Sequence, residues 1–435
     1  MKFSLLSAIA LFASATTAET NNTFTGIDGR ARTLKEEAAL QDDAKINRAC
    51  HQENANYIPS LKAGEYSTSA FHNCFRTVDQ IYEFTDALVA QNPTLLSKFA
   101  ISKTYNGAII YGYKLTKGHS QSLYFQALQH AREWISGSSI LFSFALILDD
   151  IANNRPTAAD EYDLYFVPVV NIDGYEVSWE EHYRAQRKSY NLVDLNRNWP
   201  TTFEHPNPPA NSATDYPGPS PFSEPETAGI NKWLLSKRSE IQGFIDIHAY
   251  GGYILYAYGD TKEPIGGGFD EKFDVLGRGL QNVMGAYTPG PVAKTLYFAY
   301  GVFSDYAFLE FKKPAVTIEV VGNDFVAEAS TIPTRGLEVY KGINQFAKET
   351  TIFNGRPITE SVPTTTAAPD GCNTCDWCFI PGLNSCFSEF TKNECVIQNA
   401  EYGALWLPGV DAKDLRKPGT EPETIGVFLS YLDQM

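Results

Sequence analysis

Three short segments carry side chains able to hold a metal ion and activate water. His130-Ala-Arg-Glu133 follows an apolar run that ends at Leu128 and precedes a helix-like stretch. His130 and Glu133, three residues apart at a strand-to-helix junction, can therefore point at one ion. Alone the spacing is a weak signal in a chain with seven histidines, and a helix-cap histidine would look the same. Ile245-Asp-Ile-His248 changes the balance, because a third ligand candidate again follows a strand. Two imidazoles and one carboxylate leave a coordination position open for water, as a catalytic zinc requires and a structural zinc does not. Glu319, in Ala315-Val-Thr-Ile-Glu319, is a carboxylate among apolar neighbours. Burying it is costly unless a cation is near, and beside zinc it becomes a general base for water.

The elements that must position these groups are legible as alternating patterns. Apolar residues Val78, Ile81, Tyr82, Leu88 and Val89 recur at helical spacing after Thr77, and Asn92-Pro93 ends that helix. Strand-like segments follow at 108–114, 122–128, 162–170, 243–247 and 315–321, with helix-like stretches at 134–151, 227–239 and 337–347. Strands alternating with helices predict an α/β fold, a mixed and mostly parallel central sheet with helices on both faces. Ligands of such sheets sit beyond the carboxyl ends of the strands, where the three segments lie.

Together His130-Ala-Arg-Glu-Trp-Ile-Ser136, Val193-Asp-Leu-Asn-Arg-Asn-Trp199, Asp246-Ile-His-Ala-Tyr250 and Thr317-Ile-Glu319 resemble the zinc metallocarboxypeptidases of the pancreatic carboxypeptidase A/B type, over residues 71–352. The resemblance implies one zinc ion held by His130, Glu133 and His248, with Glu319 as the base that later acts as acid. It implies that Asn196 and Arg197 grip the terminal carboxylate of a peptide, with Tyr297 closing over it. A planar guanidinium suits that task, since it can meet both carboxylate oxygens at once. Arg184 matches the cation that faces the scissile carbonyl oxygen, with Arg187 as the alternative. Asp194 matches the carboxylate that orients His130, and Arg132 and Tyr250 match positions lining the cleft for upstream substrate residues.

Around the last side chain of a substrate the same resemblance places Asp246, Leu255, Gly259, Val292, Ser304 and Thr317. Ser304 occupies the position that reads charge, and as a neutral residue it predicts apolar or aromatic C-terminal residues. Asp246 stands where a small residue is usual and, facing the pocket, would favour basic residues instead. Val302 and Phe303 are bulkier than the usual run there. The other readings of the site are a zinc amidase or deacylase acting on a non-peptide acyl bond, which would not need the clamp of Asn196, Arg197 and Tyr297, and an inactive binding relative, which would be expected to lack a ligand or the base.

Composition bounds the rest. Thirty-five Lys plus Arg against 51 Asp plus Glu give a net charge of −16, a field that repels nucleic acid and anionic membranes. Residues 1–18 have the layout of a signal peptide, which predicts secretion; the apolar stretch at 135–148 reads as a buried helix. Residues 19–70 form a polar segment, pro-like or tied to the body by a Cys50–Cys74 bridge, the simplest pairing. After the 71–352 domain, 353–371 is a Pro/Thr-rich linker, 372–406 a module with Cys372, Cys375, Cys378, Cys386 and Cys395, and 407–435 a tail without a reading. Disulfides suit that module better than a metal, and its aromatic residues suggest contact with carbohydrate or a cell wall. The chain is expected to act as a monomer on peptides with a free C-terminus, without nucleic-acid or membrane partners.

Overall fold

The computed structural model describes residues 23–25, 30–355, 377–380, 385–387 and 405–407. The expected leader, residues 356–371 of the linker, most of the Cys-rich module and the tail lie outside the described residues. Strands β1 (Thr23–Thr25) and β2 (Ala31–Thr33) pair antiparallel and lead into α1 (Leu34–Glu53). Thr33 and Glu36 start that helix as a capping box, each side chain accepting from the other's backbone N–H. The polar segment therefore holds a long helix that apolar spacing does not reveal. Its buried positions Leu40, Asp43, Ala44 and Asn47 follow helical spacing, yet two of the four are polar. A disulfide joins Cys50 to Cys74.

Next come α2 (Val78–Gln91), β3 (Leu96–Lys103), β4 (Ile109–Leu115), β5 (Ser122–Ala127), α3 (Trp134–Ala152), β6 (Asp163–Val167), α4 (Ile172–Val177) and α5 (Pro225–Ser236). The second half holds β7 (Ile241–Ala249), β8 (Tyr253–Tyr256), α6 (Phe269–Met284), β9 (Thr288–Pro291), α7 (Val292–Thr295), α8 (Phe303–Phe311), β10 (Ala315–Val320) and α9 (Ile332–Phe353). Short strands β11 (Trp377–Ile380), β12 (Ser385–Phe387) and β13 (Leu405–Leu407) make a small antiparallel sheet.

The central sheet has eight strands in the order β3-β4-β6-β5-β7-β10-β8-β9. Its middle, β6-β5-β7-β10, is parallel throughout, and the antiparallel pairings lie toward the edges. Parallel central strands are buried on both faces, and β5 and β7 are buried along their whole length. Successive residues then serve opposite layers. Phe125 packs on Phe166 and, through it, on Phe144 of α3, while Tyr124 meets Trp233 of α5 and Phe303 of α8. Helix α3 is apolar and long enough to cross a membrane, but it is mostly buried between the sheet and α9. Within the central sheet the sequence does not reveal β3, β8 and β9; β3 is an edge strand with mixed exposure, and β9 reads Thr-Pro-Gly-Pro.

Candidate active site

The carboxyl ends of β5, β7 and β10 meet at one point. His130 lies in the loop after β5, Glu133 at the cap of α3, and His248 near the end of β7. His130 Nδ1 lies 2.8 Å from Glu133 Oε1, His248 Nδ1 lies 3.0 Å from Glu133 Oε2, and the two Nδ1 atoms are 3.0 Å apart. All three residues are buried, at 4%, 2% and 1% exposure. The Ala249 amide donates to Glu133 Oε2 at 3.1 Å and fixes the carboxylate. Among the described residues this is the one group of His, Cys, Asp or Glu with ligand atoms close enough to share an ion.

The far side of each imidazole decides what the near side can do. His130 Nε2 faces Asp194 Oδ1 at 3.0 Å, and His248 Nε2 faces Asp246 Oδ2 at 2.8 Å. A carboxylate accepts, so each Nε2 donates to its carboxylate, and it is Nδ1 that each ring turns inward, where its lone pair can meet a cation. Two lone pairs and a carboxylate converging in a buried space repel one another unless a cation sits between them. The donor set, two nitrogens and one carboxylate with no fourth protein ligand, fits zinc with an open position. Burial pulls His248 down, but the Asp246 and Glu133 carboxylates outweigh it and hold the ring above its ordinary value. Burial likewise pushes Asp194 up, and Arg187 and His130 bring it well below the usual carboxylate range.

Asp246 is thus a correction. It does not line the cleft; Gln129 and Gln126 donate to it at 2.5 and 3.2 Å, and its role is to hold His248. The i, i+2 spacing on one strand, which puts Asp246 and His248 on the same face, could have shown this.

Glu319 stands directly across from His248 in the β7–β10 register. Burial, and after it the Glu133 charge, push its carboxyl up to about 8. Arg187 reaches the trio, with Nη1 3.3 Å from His130 Nδ1 and Nη2 2.8 Å from Asp194. Farther along the cleft Asn196 Nδ2 approaches His248 Nε2 at 3.3 Å, and Asn196 Oδ1 accepts from the Phe303 amide. Arg197 donates to the Asn196 carbonyl at 2.7 Å and to the Tyr297 hydroxyl at 3.4 Å. Gly301 lets these backbones meet, since a Cβ there would lie 2.3 Å from the Arg197 carbonyl oxygen. His130, Glu133, Glu319, Arg187, Arg197 and Tyr297 all line one cleft of about 270 Å³.

Residues 81–342 match the zinc carboxypeptidase family, peptidase M14. The chain belongs to that family. Zinc carboxypeptidase A 1 of Drosophila melanogaster is 30% identical over 247 residues, which cover 53% of this chain and 57% of that protein. Carboxypeptidase A1 of Mus musculus is 30% identical over 287 residues, covering 62% and 68%. The chain therefore spans about three-fifths of the length of the curated relatives it matches. The crystal structure of the carboxypeptidase A of Helicoverpa armigera shares the fold, with a TM-score of 0.62 at 22% identity over 74% of this chain and 82% of that one.

Within this zinc carboxypeptidase frame, Arg184 is a second correction. Its guanidinium is buried away from the cleft, paired with Asp43 at 2.7 Å and stacked on Trp134, and Arg187 lines the cleft instead. Ser304 lines the cleft with Leu255, Val292, Ala299, Val302 and Thr317. Its buried hydroxyl makes no hydrogen bond. The bulk of Phe303 does not fill the pocket, because its ring packs on Trp199 and Tyr124. Arg132 and Tyr250 line the opposite side together with Phe325, which the sequence reading missed; Arg132 lies over the Phe325 ring, 3.9 Å from its centroid.

Proposed function

We propose that this chain is a secreted exopeptidase that hydrolyses the last peptide bond of peptides with a free C-terminus. The observation that carries the reading is the shared cleft, with a metal-binding trio and Glu319 at one end and the Arg197–Tyr297 pair at the other. A guanidinium at a fixed distance from the reacting centre measures one residue, which defines an exopeptidase. Zinc held by the trio supplies Lewis acidity and lowers the pKa of water. Glu319 takes a proton from the attacking water as the oxygen adds to the carbonyl carbon. Arg187 faces the negative charge that grows on the carbonyl oxygen. As the C–N bond breaks, Glu319 returns the proton to the leaving amine, releasing one amino acid and a peptide shorter by one.

The apolar walls Leu255, Val292, Ala299 and Val302, with neutral Ser304, support a preference for apolar or aromatic last residues. The leader-like start and the Cys50–Cys74 disulfide support secretion. The test compares a peptide ending in phenylalanine as the free acid with its C-terminal amide. The free acid should be cleaved at least 100-fold faster, and Arg197→Ala should lower kcat/KM for it by on the order of 10²-fold, the worth of two charge-assisted hydrogen bonds. Equal cleavage of acid and amide would refute the exopeptidase reading.

A further inference from the structure

The upstream side of the cleft is built from three loops. Arg132 lies between β5 and α3, Tyr250 follows β7, and Phe325 follows β10. Such loops need support that the sheet does not give, and here it comes from the N-terminal arm, residues 30–53. Arg30 Nη2 donates to the Asn323 carbonyl at 2.8 Å, its Nη1 pairs with Asp324 at 3.2 Å, and the guanidinium covers the Tyr250 ring. Asp43 on α1 holds Arg184 at 2.7 Å, and that guanidinium donates to the Arg132 carbonyl at 2.8 Å and the Phe325 carbonyl at 3.0 Å. One carboxylate of the arm thereby fastens two wall loops together. Tyr250 and Phe325 then meet edge to face, 4.9 Å between ring centroids. Below these contacts Arg48 donates to the Trp179 carbonyl, Asn47 accepts from the Phe75 amide, and the disulfide ties α1 to Cys74.

We infer that residues 30–53 are a permanent positioning element of the working enzyme, which sets the subsite for substrate residues upstream of the scissile bond. The arm approaches the cleft from behind its wall, and the Asp43–Arg184 pair is buried. Removing it would leave the Arg184 charge without its partner, so the segment is unsuited to being cut away on activation. The disulfide would also retain the arm after a cut between α1 and Cys74. The inference rests on the peptide-hydrolase reading for its kinetic part only.

The test uses the full secreted chain and Arg30→Ala, with a blocked dipeptide and a hexapeptide sharing the same last two residues. Arg30→Ala should raise KM for the hexapeptide roughly tenfold with kcat within about twofold, and leave the dipeptide constants within about twofold. Arg30→Lys, which keeps the charge beside Asp324, should recover most of the lost affinity. Amide hydrogen exchange across residues 321–326 should quicken by on the order of tenfold in Arg30→Ala, a readout independent of turnover. Mass spectrometry of the reduced active enzyme should find residues 30–53 present. Unchanged exchange and hexapeptide KM, or an active enzyme without residues 30–53, would overturn the inference. A wild-type chain that cleaves neither peptide would defeat the peptidase reading instead, and the exchange result would still decide the role of the arm.

Discussion

The two ends of the cleft are built to different standards. At the metal end every ligand is buried, and each is held by a second group: His130 by Asp194, His248 by Asp246, Glu133 by the Ala249 amide. At the end proposed to recognise the substrate, Tyr297 is 51% exposed and its hydroxyl meets Arg197 at 3.4 Å, a long contact. The difference separates two demands. Groups that move protons must be fixed before substrate arrives, because their pKa values depend on burial and neighbours. A group that closes over a carboxylate gains from remaining open until the ligand brings the order.

The contrast can be tested from its strongest side to its weakest. Glu319→Gln keeps the shape and removes the base, so kcat should fall by on the order of 10²–10⁴-fold while zinc stays bound at one per chain, read by rate and metal analysis together. Retained turnover would place the base elsewhere. Asp246→Asn removes the negative charge that raises the basicity of His248 and puts an amide donor where only acceptors stood, and zinc affinity in a chelator competition should weaken by roughly 10–100-fold. An unchanged zinc affinity would show that the buried carboxylate is only filling space. Tyr297→Phe, at the open end, should cost less than about tenfold in kcat/KM and leave zinc affinity alone. A larger loss, or a loss of metal, would mean that the two ends are not separable.

How much of this was legible followed from how local each signal was. His130, Glu133, His248 and Glu319 were readable because each lies on or shortly after a strand whose apolar run is complete in itself. Strands β5, β7 and β10 share that quality, whereas edge strand β9 and its neighbour β8 draw their order from pairing with the rest of the sheet. Arg184 and Arg187, three apart in a stretch of turns, show no periodicity to say which points inward. Arg184 was settled by a partner 141 residues away, Asp43, on a helix whose buried face is half polar. Asp246 was assigned to the pocket because the resemblance supplied a position and not a direction; strand alternation would have turned it toward His248.

The account stands on a zinc ion between two imidazoles and one carboxylate. Its most direct test strips the purified chain of metal and titrates zinc back while following release of the last residue from a peptide. Activity should vanish on stripping and return in proportion to zinc, reaching a plateau at one ion per chain. A metal-free chain that cleaves as fast as the untreated one would contradict it.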